Sequence, residues 1–160
     1  MPTNVQFRPI MAEDRETLYQ IYASTRTEEL SVVPWSDADK DRFLRMQFQA
    51  QTSHYEKHFS HAEFQLLLIE DKPAGRLYVD QTGPQILIVD ISLLPAFRGQ
   101  GIGTSILQDL IAKSISAGKS LIIHVEKNNP AKRLYHRLGF IETQDLGVYD
   151  LMVHQPRAGA

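Results

Sequence analysis

Three glycines within five residues, in the segment Arg98-Gly99-Gln100-Gly101-Ile102-Gly103-Thr104, separate a strongly apolar strand pattern from an amphipathic helix pattern. Glycine lets the backbone turn sharply with successive amides facing one way. The helix that follows adds unsatisfied N–H groups and the positive end of its dipole. A phosphate or pyrophosphate is the ligand that suits such a turn. Taken alone, the same glycines would also serve a strand-to-helix connection that merely changes direction. Two neighbouring patterns add to the signal. The strand at 86–94 turns polar at Asp90 and Ser92, which share a face by the two-residue period. Downstream, residues 125–140 run Val-Glu-Lys-Asn-Asn-Pro-Ala-Lys-Arg-Leu-Tyr-His-Arg-Leu-Gly-Phe.

The 160-residue length suits one domain with a full core, and no repeat or linker divides it. The expected domain covers 5–153, with an unpacked tail at 154–160. Absence of cysteine removes disulfides, thiolate metal sites and a cysteine nucleophile, and fits a reducing compartment. A net charge of −2 leaves no basic footprint for nucleic acid. The first residues lack a secretory pattern and no apolar run approaches bilayer span, so a cytoplasmic protein without membrane contact is expected.

Periodicity predicts a strand at 5–10, a helix over about 14–26, and a long helix after Pro34-Trp35 opened by Ser36 and Asp39. Strands at 64–70 and 76–80 flank a hairpin-like turn at 71–75, and a turn at 82–84 leads into 86–94. The helix after the glycine loop ends at Gly118, and a strand follows at 121–126. A right-handed crossover makes that strand parallel to 86–94. Asn129 then caps a short helix with Pro130 at its first position, closed by Gly139. Strands at 140–143 and 148–153 complete an α+β domain: a mixed, mostly antiparallel sheet with a central parallel pair, flanked by helices.

Other patterns carry less. Gly118-Lys119-Ser120 reads as a helix end, not a P-loop, because Lys113 stands where a glycine is required. His54 and His58 have zinc-protease spacing, but Glu56 falls one place late, and no metal is expected. A dinucleotide fold ranks second for the loop. Thr104 occupies its third glycine position, Glu126 lies at a ribose-binding distance, and the upstream hairpins oppose it.

The two segments together resemble the GNAT superfamily of acetyl-CoA-dependent N-acetyltransferases. Arg98-x-x-Gly101-x-Gly103 is similar to that family's pyrophosphate loop. Asn128-x-x-Ala131-x-x-Leu134-Tyr135-x-x-Leu138-Gly139-Phe140 is similar to its second cofactor segment. The resemblance implies acetyl-CoA as cosubstrate, held by Leu93, Leu94, Arg98, Gly99, Gln100, Gly101, Ile102, Gly103, Thr104, Asn128 and Tyr135. It also implies a splay between 86–94 and 121–126 where pantetheine lies.

Acetyl transfer to an amine requires a neutral nucleophile, a polarised carbonyl and a protonated leaving thiolate. Asp90 stands where many family members carry a glutamate, and a water relay would bridge its shorter reach; pairing with a basic neighbour is the alternative. Tyr135 matches the general acid. Amides around Leu93 and Leu94 would polarise the carbonyl. The family's first two helices suggest Tyr22, Trp35, Gln47, Gln51 and His54 for the acceptor, a small-molecule or protein amine. The expected activity is N-acetyl transfer by direct attack in a ternary complex. A rival is an acyl-CoA-binding regulatory module without turnover, and a homodimer is left open.

Overall fold

Seven strands pair into a single sheet in this computed structural model, which describes residues 4–156. They are β1 (Val5–Pro9), β2 (Glu63–Ile69), β3 (Lys72–Asp80), β4 (Ile86–Leu93), β5 (Leu121–Glu126), β6 (Ile141–Leu146) and β7 (Tyr149–His154). Their order is β1-β2-β3-β4-β5-β7-β6, and every neighbouring pair is antiparallel except β4 with β5. The helices are α1 (Arg15–Ser24), α2 (Thr27–Ser31), α3 (Asp37–His58), α4 (Ile102–Ala117) and α5 (Lys132–Arg137). The mixed α+β sheet with one parallel pair is the predicted architecture. Residues 157–160 of the expected tail lie outside the described residues, and His154 belongs to β7. Among the described residues no helix is long and apolar enough to cross a membrane.

Four local predictions differ from the structure, the first being that β6 runs on to Leu146 where a strand ending at 143 was expected, so the turn into β7 is only Gly147-Val148. Thr27–Ser31 forms a separate short helix, because Thr25 and Arg26 turn the chain after α1. The β2–β3 turn is only Glu70-Asp71, with φ of 52° and 64°, the left-handed pair that matches strand twist in a two-residue hairpin. Pro73 and Gly75 therefore lie inside β3, with Ala74 as an extra residue where the register steps from Leu67↔Gly75 to Leu68↔Pro73. α5 begins at Lys132 instead of Pro130, and the Asn129 side chain accepts from the Ala131 amide at 2.8 Å in the turn before it. The expected cap on α3 is present, with Ser36 Oγ accepting from the Asp39 amide at 3.1 Å.

Each face of the sheet carries its own core. Ile102, Ile106, Leu107 and Leu110 of α4 and Tyr135 of α5 pack on Leu77, Ile88, Ile123 and Val125. On the other face Leu18, Ile21 and Tyr22 of α1 meet Leu44 and Phe48 of α3 over Leu66. Each buried aliphatic or aromatic chain contributes roughly 1.5–3 kcal/mol.

The functional consequence of the sheet lies at its parallel seam. β4 and β5 pair only at Ile86↔Leu121, Leu87↔Ile122 and Ile88↔Ile123. Against β3, the register of β4 steps from Val79↔Ile88 to Tyr78↔Asp90, so Val89 is an extra residue. A bulge bends its strand. Past Val89 the two strands separate, and a wedge opens between the ends of β4 and β5.

Candidate active site

The glycine loop closes one end of this wedge. Gly99 and Gly101 hold φ of 73° and 82°, which a side chain rarely tolerates. Space beside both is open, since a Cβ there would meet nothing within 4 Å. Gly101 is the N-cap of α4, and its carbonyl accepts from the Ser105 amide at 3.0 Å. The amides of residues 99–104 have no backbone acceptor among the described residues outside α4's own ladder. A run of free amides at the positive end of a 16-residue helix is a built anion cradle.

Arg98 is turned inward. Its Nε donates to the Leu93 carbonyl at 2.8 Å, and Nη2 reaches Ser24 Oγ at 3.2 Å, so it ties the loop to β4 and α1. Gln100 donates to the Ala96 carbonyl at 2.8 Å. The Leu94 amide donates to the Ala74 carbonyl at 2.8 Å and is therefore engaged. Alternation along an antiparallel strand turns the Leu93 amide the other way, toward the wedge. Ile102 is buried in the core, and Gly103 lies near the Leu93 side chain.

Asp90 sits on the α1–α3 face within a buried polar network. Its Oδ2 accepts from Arg76 at 2.8 Å and from the Tyr55 hydroxyl at 3.0 Å. Oδ1 accepts from Ser92 at 2.8 Å. Arg76 is 2 % exposed and also donates to Gln51 Oε1 at 2.8 Å. Burial and the adjacent Asp90 charge push the Tyr55 phenol well above its ordinary value, so it remains a donor. Two donors fill Oδ2, whereas Oδ1 keeps room for one more.

Tyr135 is 5 % exposed, with its ring edge-on to Phe140 at 5.7 Å. Burial, and then the charge of Asp90, push its phenol up to about 12. The short helix carrying it is anchored from outside: Lys132 Nζ binds Asp150 at 2.8 Å and Glu142 at 3.1 Å. His136 Nε2 lies 2.7 Å from Glu142 Oε1. Asn128 is exposed in the turn between β5 and α5.

A cleft of about 500 Å³ opens between α2, α3 and the turn joining β6 to β7. Trp35 and Gln47 line it, and the Tyr22 hydroxyl donates to Gln47 Oε1 at 3.2 Å. Gln51 belongs to the Asp90 network instead. His54 is exposed on α3, its ring tilted against that of His58 with centroids 4.5 Å apart. The cleft also contains residues that sequence reading does not single out as acceptor contacts: Arg26, Glu29, Phe43 and Tyr149, with Glu126 at the end of β5. Arg26 bonds Glu29 at 2.8 Å and Glu126 at 3.4 Å. Glu126 is 100 residues away from Arg26, so no local pattern could pair them.

Comparison with known proteins bears on the family and the fold. The model of the acetyltransferase (GNAT) family matches residues 15–140. A search of curated proteins finds no significant match. Among solved structures, the PaiA N-acetyltransferase from Thermoplasma acidophilum in complex with coenzyme A aligns with a TM-score of 0.71 at 14% identity. The alignment covers 95% of this chain and 99% of that one. A ribosomal-protein alanine N-acetyltransferase from Escherichia coli aligns with a TM-score of 0.63 at 19% identity, covering 98% and 97%. A GNAT family acetyltransferase from Elizabethkingia anophelis with acetyl-CoA bound gives 0.60 at 16% identity, covering 95% and 98%.

Proposed function

Because this chain belongs to the GNAT acetyltransferase family, we propose that it transfers an acetyl group from acetyl-CoA to a primary amine by direct attack in a ternary complex. The observation that carries this reading is the run of free amides at 99–104 opening beside the β4–β5 wedge. The cradle fits a pyrophosphate in charge and in space, since Gly99 and Gly101 leave the approach clear. Neighbours of the same fold hold coenzyme A or acetyl-CoA.

Acetyl-CoA supplies the activated thioester; the chain supplies binding, orientation and proton handling. Amides from Gly99 to Thr104 take the pyrophosphate, and Asn128 takes the pantetheine arm. The Leu93 amide polarises the acetyl carbonyl from the wedge side of β4. An ammonium has an ordinary pKa of about 10, so it must shed a proton before attack. Asp90 accepts that proton through a water held at Oδ1. As the C–N bond forms and the C–S bond breaks, Tyr135 donates its proton to the thiolate. The second proton of the ammonium returns to Tyr135 and leaves free CoA thiol and amide.

The engagement of Asp90 by Arg76 favours a second reading, an acyl-CoA-binding module without turnover. Two measurements decide. Calorimetry should show acetyl-CoA binding, with Gly101→Val weakening it about tenfold or more through strain at φ 82°. Release of CoA thiol in an amine panel should then show turnover. Absence of acetyl-CoA binding overturns the proposal, whereas binding without turnover on any amine leaves the regulatory module.

A further inference from the structure

We propose that the cleft beside Glu126 accepts a primary amine carrying one positive charge on an apolar body about the size of an aromatic ring, its ammonium docked on the Glu126 carboxylate. This rests on the reading of the chain as an amine acetyltransferase.

The charges in the cleft specify the count. Two carboxylates, Glu29 and Glu126, face one guanidinium, Arg26, among the lining residues. Arg26 is closely bound to Glu29 at 2.8 Å and only loosely to Glu126 at 3.4 Å. Its guanidinium also stacks over the Tyr22 ring at 5.7 Å, which holds it in place. One negative charge is therefore left over, and it resides on the carboxylate with the longer bond. A single ammonium completes it. An amino acid would add a third carboxylate beside Glu29 and Glu126, and a polyamine would bring a second cation with no free partner.

The walls specify the body. Trp35 is 46% exposed, Tyr149 42% and Val148 68%, and all three line the cleft with Phe43. Trp35 and Phe43 meet edge-to-face at 5.3 Å, so the two rings form one continuous aromatic part of the wall. Large apolar groups left in water around a concave space are an unfinished apolar contact. Gln47 is the one amide side chain in the lining, and beside it only the Tyr149 hydroxyl and the Trp35 indole N–H are uncharged polar groups, too few for a polyhydroxylated acceptor. A volume of about 500 Å³ accommodates a ring with a short alkyl arm.

Position links this cleft to the wedge. Glu126 ends β5, the strand that bounds the separation from β4. An amine held there approaches the wedge from the side opposite α4.

Trp35 is the chain's sole tryptophan, so its fluorescence reports the cleft without requiring turnover. CoA-saturated protein is titrated with 2-phenylethylamine, spermidine and phenylalanine, and each is assayed separately for acetylation with acetyl-CoA replacing CoA. Saturable change with 2-phenylethylamine is expected, with the other two weaker by about tenfold or more. Glu126→Gln should weaken 2-phenylethylamine by about tenfold or more while CoA affinity stays unchanged. Tyr149→Ser, which removes only a wall, should weaken it as well. Preference for spermidine or phenylalanine, or silence of Trp35 toward all three amines while CoA binds, overturns the inference and leaves the acetyltransferase reading standing. Failure of CoA itself to bind in calorimetry overturns that reading and this one with it.

Discussion

Tyr135 combines two properties that a general acid needs, a retained proton and a position on a helix facing the seam of the sheet. With its phenol pushed up to about 12 by burial, it keeps that proton throughout the neutral range. Tyr135→Phe preserves ring volume and the contact with Phe140, so acetyl-CoA affinity should hold while the chemical step slows about a hundredfold. The deficit should fade above about pH 8.5, where a thiolate leaves without protonation. Single-turnover rates across pH test this. Parental rates throughout would make Tyr135 a packing residue. Asp90 raises a different question, because Arg76 gives it a structural reason to exist. Arg76→Leu alone strands a buried carboxylate and should cost about 3–5 kcal/mol in urea melts. Replacing both Arg76 and Asp90 with leucine should recover most of that loss, since a buried pair and an apolar pair are of similar stability. If Asp90 also takes the amine proton, the recovered protein still turns over about a hundredfold more slowly. A stable double variant at the parental rate would assign Asp90 to stability alone.

At the level of elements, sequence reading succeeded where the signal is contiguous. The glycine turn before α4 and the Ser36 cap each occupy a few neighbouring residues and appear where expected, and the helix around Tyr135 is present though it starts two residues late. It failed where a signal is short or shared. Glu70 and Asp71 make the β2–β3 turn without glycine or asparagine, while Pro73 and Gly75 nearby imitate a turn from inside a strand. Val89 looks like any residue of an apolar strand, yet as a bulge it sets the wedge. α2 has five residues, too few for a helical period. The ion pairs anchoring α5 are likewise invisible before folding, and they have a pH signature. His136 first, and Lys132 with it, hold Glu142 at about 2, below its ordinary 4.5. A depressed carboxylate stabilises the fold above its unfolded value and loses that contribution as pH falls from about 4.5 through 2. Glu142→Gln should therefore be less stable at neutral pH and show a shallower acid slope across that interval. Equal slopes by denaturant titration would mean that the pair is only a solvated surface contact.

Across the whole molecule, the cleft beside Glu126 was the least legible feature, because it exists only when α2, α3, β5 and the β6–β7 turn meet. Trp35 and Gln47 line it and were expected near an acceptor from the place that the family gives its first helices; the charged residues beside them come from distant parts of the chain. The same long-range assembly has a mechanical side. β1 to β4 form one antiparallel half of the sheet and β5 to β7 another, joined across the sheet by three residue pairs at the base of the wedge. That junction is the narrowest ladder in the sheet, so the two halves should open there before either comes apart. Hydrogen exchange should find amides of 121–123 exchanging faster than their counterparts at the β2–β3 junction, and CoA should slow exchange on both banks at once. Uniform protection in the free protein would exclude such a hinge. If acetyl-CoA seats in this gap as proposed, it is a splint as well as a reactant: the bond network that the fold omits between β4 and β5 would be completed by the molecule consumed.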